Sequence, residues 1–349
     1  MTNGQPGADR RPGSSSASHG SSRAGGRSRI AVSVAGLQTL GAAMSLDVAR
    51  EADELGFSAA WVAEANAAEG MSLLGAMSQV APNIGLGTGV LALQLRTPPL
   101  HAMAAATLQQ LAGDRDVFLG VGISSPAVAG QWHGAGYTDR PIAQVREFLT
   151  LLRECLSGET VTFEGDFYTV KRFRLGLKLG DRRPKLALAA LNKQMLRLGG
   201  ELADVVLLNY LPASLVPWCV ERVRAGGDAE IHAYVHCAVT DRDRYADLAR
   251  KDLLNYAVVP AYATQFERAG FVDEVRHFQD RWAARDRDGA LAAISDDWVA
   301  AIQIMGDEQH VRDAVQAYAD HGVDVPIVFA IPWGEDRRAT VSATLRALA

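Results

Sequence analysis

The sequence predicts an α/β protein that folds as a closed (β/α)8 TIM barrel, and three observations carry this prediction. From residue 29 onward, short apolar runs alternate with longer amphipathic runs in a single βα order. The short runs are apolar at consecutive positions, which is typical of strands buried on both faces of a parallel sheet. The alternation contains eight such units, which favour a closed barrel; an open doubly wound sheet is the alternative.

The predicted strands lie at residues 29–34, 57–62, 84–93, 116–122, 185–190, 205–209, 231–240 and 325–330. The helices between them follow from start and stop signals. We expect Ser45 to cap the first helix, which ends at Gly56, and Thr97 to open the third, which ends at Gly113. The remaining helices are expected at residues 71–80, 141–156, 193–202, 215–224 and 308–321.

Two insertions interrupt the alternation. Residues 161–170 predict a small hairpin after the fourth helix, followed by a basic loop at 171–183. A helical excursion at 245–298 separates the seventh strand from the eighth. We therefore expect residues 29–349 to form one domain. Residues 1–28 are rich in Gly, Ser and Arg without an apolar run, and predict a disordered tail.

The composition argues against several classes of protein. The chain has 35 Lys and Arg against 40 Asp and Glu, a net charge of −5 with no basic stripe, which argues against a nucleic-acid partner. No apolar stretch reaches the ~18 residues that a membrane span needs. The three widely spaced cysteines form neither a disulfide framework nor a CxxC metal site. We expect a cytoplasmic protein that acts on a small molecule, without a metal.

In a barrel of this kind the chemistry lies where strands end and βα loops begin. GLGTGV at 85–90 lacks the spacing of a dinucleotide fingerprint, and GVG at 120–122 is equally rich in glycine. These glycines indicate either room for a flat ring at the barrel mouth or tight packing of strands. The helix that begins after Asn192 offers unpaired N–H groups and Lys193 to an anion.

Three further observations concern side chains. Trp132, His133 and Tyr137 lie in the loop after the fourth strand, and indicate either a substrate lid or aromatic anchoring of that loop. His232, Tyr234 and His236 share one face of the seventh strand, which favours hydrogen-bonded interior residues over metal ligands. No GxSxG, HExxH or P-loop motif is present, so the barrel is expected to obtain its reactivity from a cofactor.

Several segments in order along the chain carry a resemblance to a known family. They are WVAE (61–64), LGTGVL (86–91), the run from RTPP to GVG (96–122), QWHG (131–134) with Tyr137 and Arg140-Pro141, and LAALNKQMLRLGGELAD (188–204). Together they resemble the luciferase-like monooxygenase superfamily, and within it the branch that uses the deazaflavin coenzyme F420. The resemblance covers about residues 29–335 and implies a (β/α)8 barrel.

The resemblance also implies where the cofactor binds. Thr88, Gly89 and Val90 would bind the cofactor, with a cis peptide at Gly89-Val90 behind the deazaflavin ring. Glu64 would lie beside the ring or its ribityl chain. The other implied ring contacts are Ser124, Ser125, Leu208 and Asn209. The phosphate would lie at Ala190, Leu191, Asn192, Lys193 and Gln194. Apart from the resemblance, the net charge of −5 does not attract a polyanion, so the basic loop 171–183 is a second candidate source of cations.

Two residues depart from the sugar-phosphate dehydrogenases of the superfamily. Ala65 stands where those enzymes have a catalytic His, and Ser125 stands where they have an acidic residue. We therefore do not expect oxidation of sugar phosphates. The turn Leu191-Asn192-Lys193-Gln194 also differs from the Gly-Pro sequences that relatives often carry at the phosphate.

The resulting hypothesis is F420H2-dependent reduction of a C=C or C=N bond by hydride transfer, in a homodimer. The candidate proton donors are His133, Tyr137 and Glu64, in that order, and the candidate substrate contacts are Trp132, His133 and Tyr137. An FMN-dependent monooxygenase on the same barrel is the alternative. A catalytically silent cofactor-binding relative is a third interpretation.

Overall fold

The computed structural model describes residues 29–349; the predicted tail at 1–28 lies outside them. Within the described part, eight parallel strands close into a barrel, which confirms the predicted (β/α)8 fold. Its strands are β1 (Ala31–Ser33), β2 (Ala59–Val62), β3 (Gly85–Thr88), β5 (Val117–Gly122), β8 (Lys185–Ala189), β9 (Val205–Leu208), β10 (Glu230–Val239) and β12 (Val325–Ala330). β10 pairs with both β9 and β12, and this double pairing closes the ring.

Helices surround the barrel. Those of the βα units are α1 (Ala42–Glu54), α2 (Gly70–Val80), α3 (Pro98–Ala112), α4 (Pro141–Cys155), α5 (Lys193–Leu202), α6 (Val216–Arg224) and α12 (Glu308–Asp320). The helical excursion consists of α7 (Arg242–Ala257), α8 (Pro260–Arg268), α9 (Val272–Ala283), α10 (Arg287–Ala292) and α11 (Asp296–Ile302), and α13 (Arg337–Leu348) ends the chain. Among the described residues, no helix is both long and apolar enough to cross a membrane.

The predicted hairpin is confirmed as an antiparallel pair, β6 (Val161–Glu164) and β7 (Thr169–Phe173), outside the barrel. Its turn is fixed by Glu147 on α4. The Glu147 carboxylate accepts hydrogen bonds from the backbone N–H groups of Asp166, Phe167 and Tyr168 at 2.9, 2.8 and 2.6 Å. The hairpin therefore lies along α4.

Several sequence expectations are wrong in detail. Ser45 does not cap α1; the helix begins at Ala42, because Gly41 with a φ of 98° turns the chain out of a short 3-10 segment. The third predicted strand is broken into β3 and a two-residue β4 (Leu91–Ala92). β11 (Gln303–Gly306) and α13 were not predicted. β11 pairs with β10 from His236 to Val239, beyond the end of the β9 pairing at Ala233.

Two glycines of the third and fourth predicted strands serve close packing. A Cβ at Gly87 would lie against the Trp61 ring, and a Cβ at Gly120 would overlap the Thr88 carbonyl oxygen. Both positions face the barrel interior, where Trp61 stacks on Phe118 at 5.0 Å between ring centroids. The tight-packing interpretation of these glycines is therefore the correct one at Gly87 and Gly120.

This packing predicts the effect of adding one methyl group. Gly120→Ala should lower the free energy of unfolding by about 3 kcal/mol, because the Thr88 backbone cannot move out of its way. Gly75→Ala on α2 is the control; its Cβ meets no atom within 4 Å, so the variant should be unchanged or stabilised by about 0.5–1 kcal/mol. Urea denaturation measures both, and equal stability of the two variants would contradict the packing account.

Candidate active site

We call the opening at the carboxyl ends of the barrel strands the mouth of the barrel. The break between β3 and β4 lies at its centre. The Gly89-Val90 peptide is cis, as the resemblance implies. The Thr88 hydroxyl donates to the Gly120 carbonyl at 2.8 Å and accepts from the Gly120 N–H at 2.7 Å. The Gly89 carbonyl accepts from the Tyr234 hydroxyl at 2.9 Å, and the Gly89 N–H donates to Val62 at 2.6 Å. The Thr88 side chain is thus occupied within the barrel wall, while Val90 remains half-buried.

The two sides of the mouth differ in side-chain size. On the side of β5 and β8, Val90 is bordered by Gly122 and Ala189; a Cβ at Gly122 would lie 3.0 Å from Val90 and 3.2 Å from Ala189. On the side of β10 and β12, Phe329 stacks on His236 with ring centroids 4.3 Å apart. The mouth therefore has one wall of small residues and one aromatic wall.

Glu64 is held in a bidentate ion pair. Arg96 donates to its two carboxylate oxygens at 2.7 and 2.9 Å, and the Gly70 N–H at the start of α2 donates at 2.9 Å. Arg96 also reaches Glu69 at 2.5 Å. Only 16% of the Arg96 side chain and 10% of the Glu64 side chain are exposed. Both carboxylate oxygens therefore already accept hydrogen bonds, and this geometry argues against Glu64 as a proton donor.

The loop after β5 begins with a π-helical segment, Pro126–Trp132, capped by the Ser125 hydroxyl, which accepts from Val128 at 3.2 Å. His133 Nε2 lies 2.5 Å from the Ala65 carbonyl oxygen, so this ring nitrogen donates and ties the loop to the segment after β2. Trp132 and Tyr137 are 58% and 47% exposed. His133 thus anchors the loop, whereas the side chains of Trp132 and Tyr137 are largely exposed.

Tyr137 lines a cavity of about 370 Å³ between the start of α3 and the loop. Arg96, Gln144 and Tyr168 also line this cavity. Ser124, with its N–H 3.5 Å from the Gln94 side chain, lies at the base of the same loop. The structure therefore gathers Ser124, Ser125, Trp132, His133 and Tyr137 in one loop at the mouth.

The N-terminus of α5 has the cap that the sequence predicts. The Asn192 side chain accepts from the Met195 N–H at 3.0 Å. Lys193 and Gln194 are exposed, and their N–H groups have no acceptor within the helix. Ala190, which is buried, pairs with Leu207 and holds the turn against β9.

The basic loop at 171–183 does not lie near this turn, and its expected contribution of cations to the phosphate is wrong. Arg174 and Arg183 donate to the carbonyls of Gly158 and Ser157, just after α4 ends. Arg182 pairs with Asp116, which immediately precedes β5. The loop therefore covers the amino ends of the strands, while α5 begins at their carboxyl ends.

A buried polar cluster on the aromatic wall was not predicted as a whole. Asn209 Oδ1 accepts from His236 Nε2 at 2.8 Å and from the Tyr210 N–H at 3.0 Å. Asp252 Oδ2 accepts from the Tyr210 hydroxyl at 3.0 Å and from Gln303 at 2.6 Å. The predicted interior position of His232, Tyr234 and His236 is confirmed by their burial and hydrogen bonds. Burial lowers the pKa of His236 to about 3, so this imidazole is neutral.

Sequence reasoning missed Asp252, Tyr210 and Gln303. They come from α7, the end of β9 and β11, and no motif marks them. A cluster of three or more His, Cys, Asp or Glu side chains able to hold a metal does not occur in residues 29–349.

The chain is similar in sequence to known proteins. The family model for luciferase-like monooxygenases matches residues 27–325. A candidate coenzyme F420-dependent oxidoreductase of Mycobacterium tuberculosis is 27% identical over 308 residues, covering 80% of this chain and 88% of its own. A 5,10-methylenetetrahydromethanopterin reductase of Archaeoglobus fulgidus is 26% identical over 306 residues, covering 83% and 90%.

Solved structures share the fold. The coenzyme F420-dependent tetrahydromethanopterin reductase of Methanopyrus kandleri has a TM-score of 0.76 at 19% identity, over 91% of this chain and 97% of that one. The oxygenating constituent of a diketocamphane monooxygenase from Pseudomonas putida, in complex with FMN, has a TM-score of 0.64 at 15% identity, over 92% and 97%.

The ion pair at the mouth predicts a stability effect. Arg96→Met should lower the free energy of unfolding by about 3 kcal/mol, because it leaves the largely buried Glu64 carboxylate without its guanidinium. Arg50→Met is the control, since Arg50 pairs with Asp47 on the exposed surface of α1, and it should change stability by less than about 0.5 kcal/mol. Urea denaturation compares the two variants; equal losses would contradict a structural role of the Glu64–Arg96 pair.

Proposed function

This chain belongs to the luciferase-like monooxygenase family, and on that premise we propose that it is a coenzyme F420-dependent oxidoreductase. We propose further that it reduces a C=C or C=N bond of a small organic molecule, in the cytoplasm. The names of the two relatives support the cofactor and the direction of the reaction. The structural observation that carries the proposal is the mouth itself: a broken β3–β4 strand beside small side chains, with the free N-terminus of α5 on the same face.

The residues at the mouth fit a flat ring with a phosphate attached. Gly89 and Val90 would support the ring from the break between β3 and β4. Residue 89 must be a glycine there, because a Cβ would overlap the Tyr234 hydroxyl. On the adjacent strands, Gly122 has no side chain and Ala189 has only a methyl group, which leaves room for the ring. The N–H groups of Lys193 and Gln194, with the Lys193 ammonium, would bind the phosphate.

When bound, a reduced deazaflavin supplies two electrons as a hydride. The chain's own residues would do the remaining work. The loop that His133 ties to Ala65 would cover the substrate and exclude water, with Trp132 and Tyr137 as its substrate contacts. Ser124, Ser125 and Asn209 would border the ring, while Glu64 would hold the loops around it through Arg96.

Cofactor titration tests the proposal. The wild-type chain should quench the fluorescence of F420 on binding, and Lys193→Ala should bind F420 roughly tenfold more weakly, about 1.4 kcal/mol. The same variant should bind a deazaflavin that keeps the ribityl chain but lacks the phosphate as tightly as the wild type does. Lys178→Ala, in the loop at the other end of the barrel, is the matched control and should bind F420 normally.

Other outcomes of that titration separate the alternatives. Tight binding of FMN without binding of F420 would replace the proposal with an FMN-dependent monooxygenase. Binding of F420 without hydride transfer to any member of an enone and imine panel would indicate a catalytically silent relative.

We also propose that the protein is a homodimer. Leu100, Met103 and Leu111 on α3 form an exposed apolar stripe, each about half exposed, at the spacing of one helix face. Met103→Glu should convert the dimer to a monomer in light scattering coupled to size exclusion, and Val272→Glu on α9, also exposed, should not. A wild-type monomer would contradict this proposal.

A further inference from the structure

The geometry points to Asp252 as the catalytic residue that gives a proton to the substrate when its double bond is reduced. This inference rests on the reductase proposed above and names a residue outside the loop after β5. Asp252 lies on α7, within the helical excursion between β10 and β12.

Asp252 lines a cavity of about 360 Å³ at the carboxyl ends of β1, β10 and β12. His236, Phe329, Ile331 and Trp333 line the same cavity and supply its aromatic and apolar part. Asp252 is the carboxylic acid among the lining residues. A small unsaturated molecule in this cavity would therefore meet one carboxylic acid beside aromatic rings, with the Arg337 guanidinium as the charged group of opposite sign.

The hydrogen bonds of Asp252 leave one oxygen for a substrate. Oδ2 accepts from two neutral donors, the Tyr210 hydroxyl at 3.0 Å and the Gln303 amide at 2.6 Å. Oδ1 has no hydrogen-bond partner among the described residues, and no Lys, Arg or His there forms an ion pair with this carboxyl. Asp252 thus differs from Glu64, both of whose carboxylate oxygens accept hydrogen bonds from Arg96.

The surroundings of Asp252 favour its neutral form. Burial raises the pKa of this carboxyl, against two hydrogen bonds that lower it. The neighbouring imidazole of His236 is neutral and contributes no positive charge. The titratable and charged groups that face the carboxyl or its cavity are His236 from β10, Tyr210 from the end of β9, Tyr245 and Tyr256 from α7, and Arg337 from α13.

Side chains of β10 and β12 connect the broken strand to this cavity. Tyr234, which bonds to the Gly89 carbonyl, and His236 are successive inward residues of β10, about 6.6 Å apart along the strand. Phe329 contacts both rings. His236 and Phe329, which line the cavity with Asp252, thus belong to the layer of side chains next to the one that contacts Gly89.

The chemistry balances with the proposed cofactor as reductant. With a bound reduced deazaflavin as reductant, one atom of the C=C or C=N bond would receive a hydride (two electrons and one hydrogen nucleus), and the deazaflavin would be oxidised. The Asp252 Oδ1–H bond breaks, and its proton goes to the other atom of that bond, so the π bond is replaced by two new σ bonds to hydrogen. The carboxylate left behind regains a proton from water at the cavity rim, where Leu248 and Arg337 are exposed.

The test compares Asp252→Asn with Asp247→Asn, which removes an exposed acid of the same helix. Consumption of F420H2 is followed with a panel of cyclic enones and cyclic imines, and F420 binding is measured in parallel. We expect Asp252→Asn to bind F420 within twofold of the wild type and to lose at least roughly 100-fold in kcat, the scale of general acid catalysis. Asp247→Asn should keep wild-type kcat.

A second measurement needs no variant. The kcat of the wild type should fall as pH rises through the raised pKa of Asp252, because the acid must be protonated to act. Full kcat in folded Asp252→Asn, or a wild-type kcat that stays constant across that pH range, would overturn the role of Asp252 while leaving the reductase intact. Failure of the wild type to bind F420 would instead overturn the proposed function, and this inference with it.

Discussion

The hydrogen bonds that close the gap between β3 and β4 are the constraint on which the mouth of this barrel depends. Where a strand leaves its ladder, the freed N–H and C=O groups need other partners, because unpaired buried groups cost free energy. The Thr88 hydroxyl donates to the Gly120 carbonyl and accepts from the Gly120 N–H, so it pairs both backbone groups of that residue. The Tyr234 hydroxyl donates to the Gly89 carbonyl from across the barrel. The same bond fixes the Tyr234 ring, and with it the layer of side chains above.

From this constraint the mouth divides into two walls. On one side the backbone of β3, β5 and β8 approaches closely, and Gly120 and Gly122 leave no side chain between it and the axis. On the other side His236, Phe329 and Tyr210 form an aromatic wall, and Asp252 lines the same cavity as His236 and Phe329. The Glu64–Arg96 pair and the His133–Ala65 bond then fasten the loops that border both walls.

Most of the barrel could be predicted from the sequence because buried parallel strands are apolar runs, and each run proved to contain a barrel strand. The Asn192 cap was also predictable, since it depends on local residues, whereas the Gly89-Val90 bulge followed only from the resemblance to the family. β11 was not predicted because four residues directly after a helix are too few to show the alternation of a strand. Its pairing with β10 also begins only beyond the part of β10 that pairs with β9. Asp252 could not be found from the sequence, since its position at the mouth arises from packing of α7 against Tyr210 and Gln303, residues distant in the chain.

We propose that the mouth binds a deazaflavin, with its ring on the Gly89-Val90 bulge and its phosphate at α5. The test is a crystal structure of the chain grown with F420. We expect ring contacts to Gly89 and Val90 and hydrogen bonds from the N–H groups of Lys193 and Gln194 to the phosphate. A phosphate bound instead by the loop at 171–183, or a ring seated away from the bulge, would contradict it.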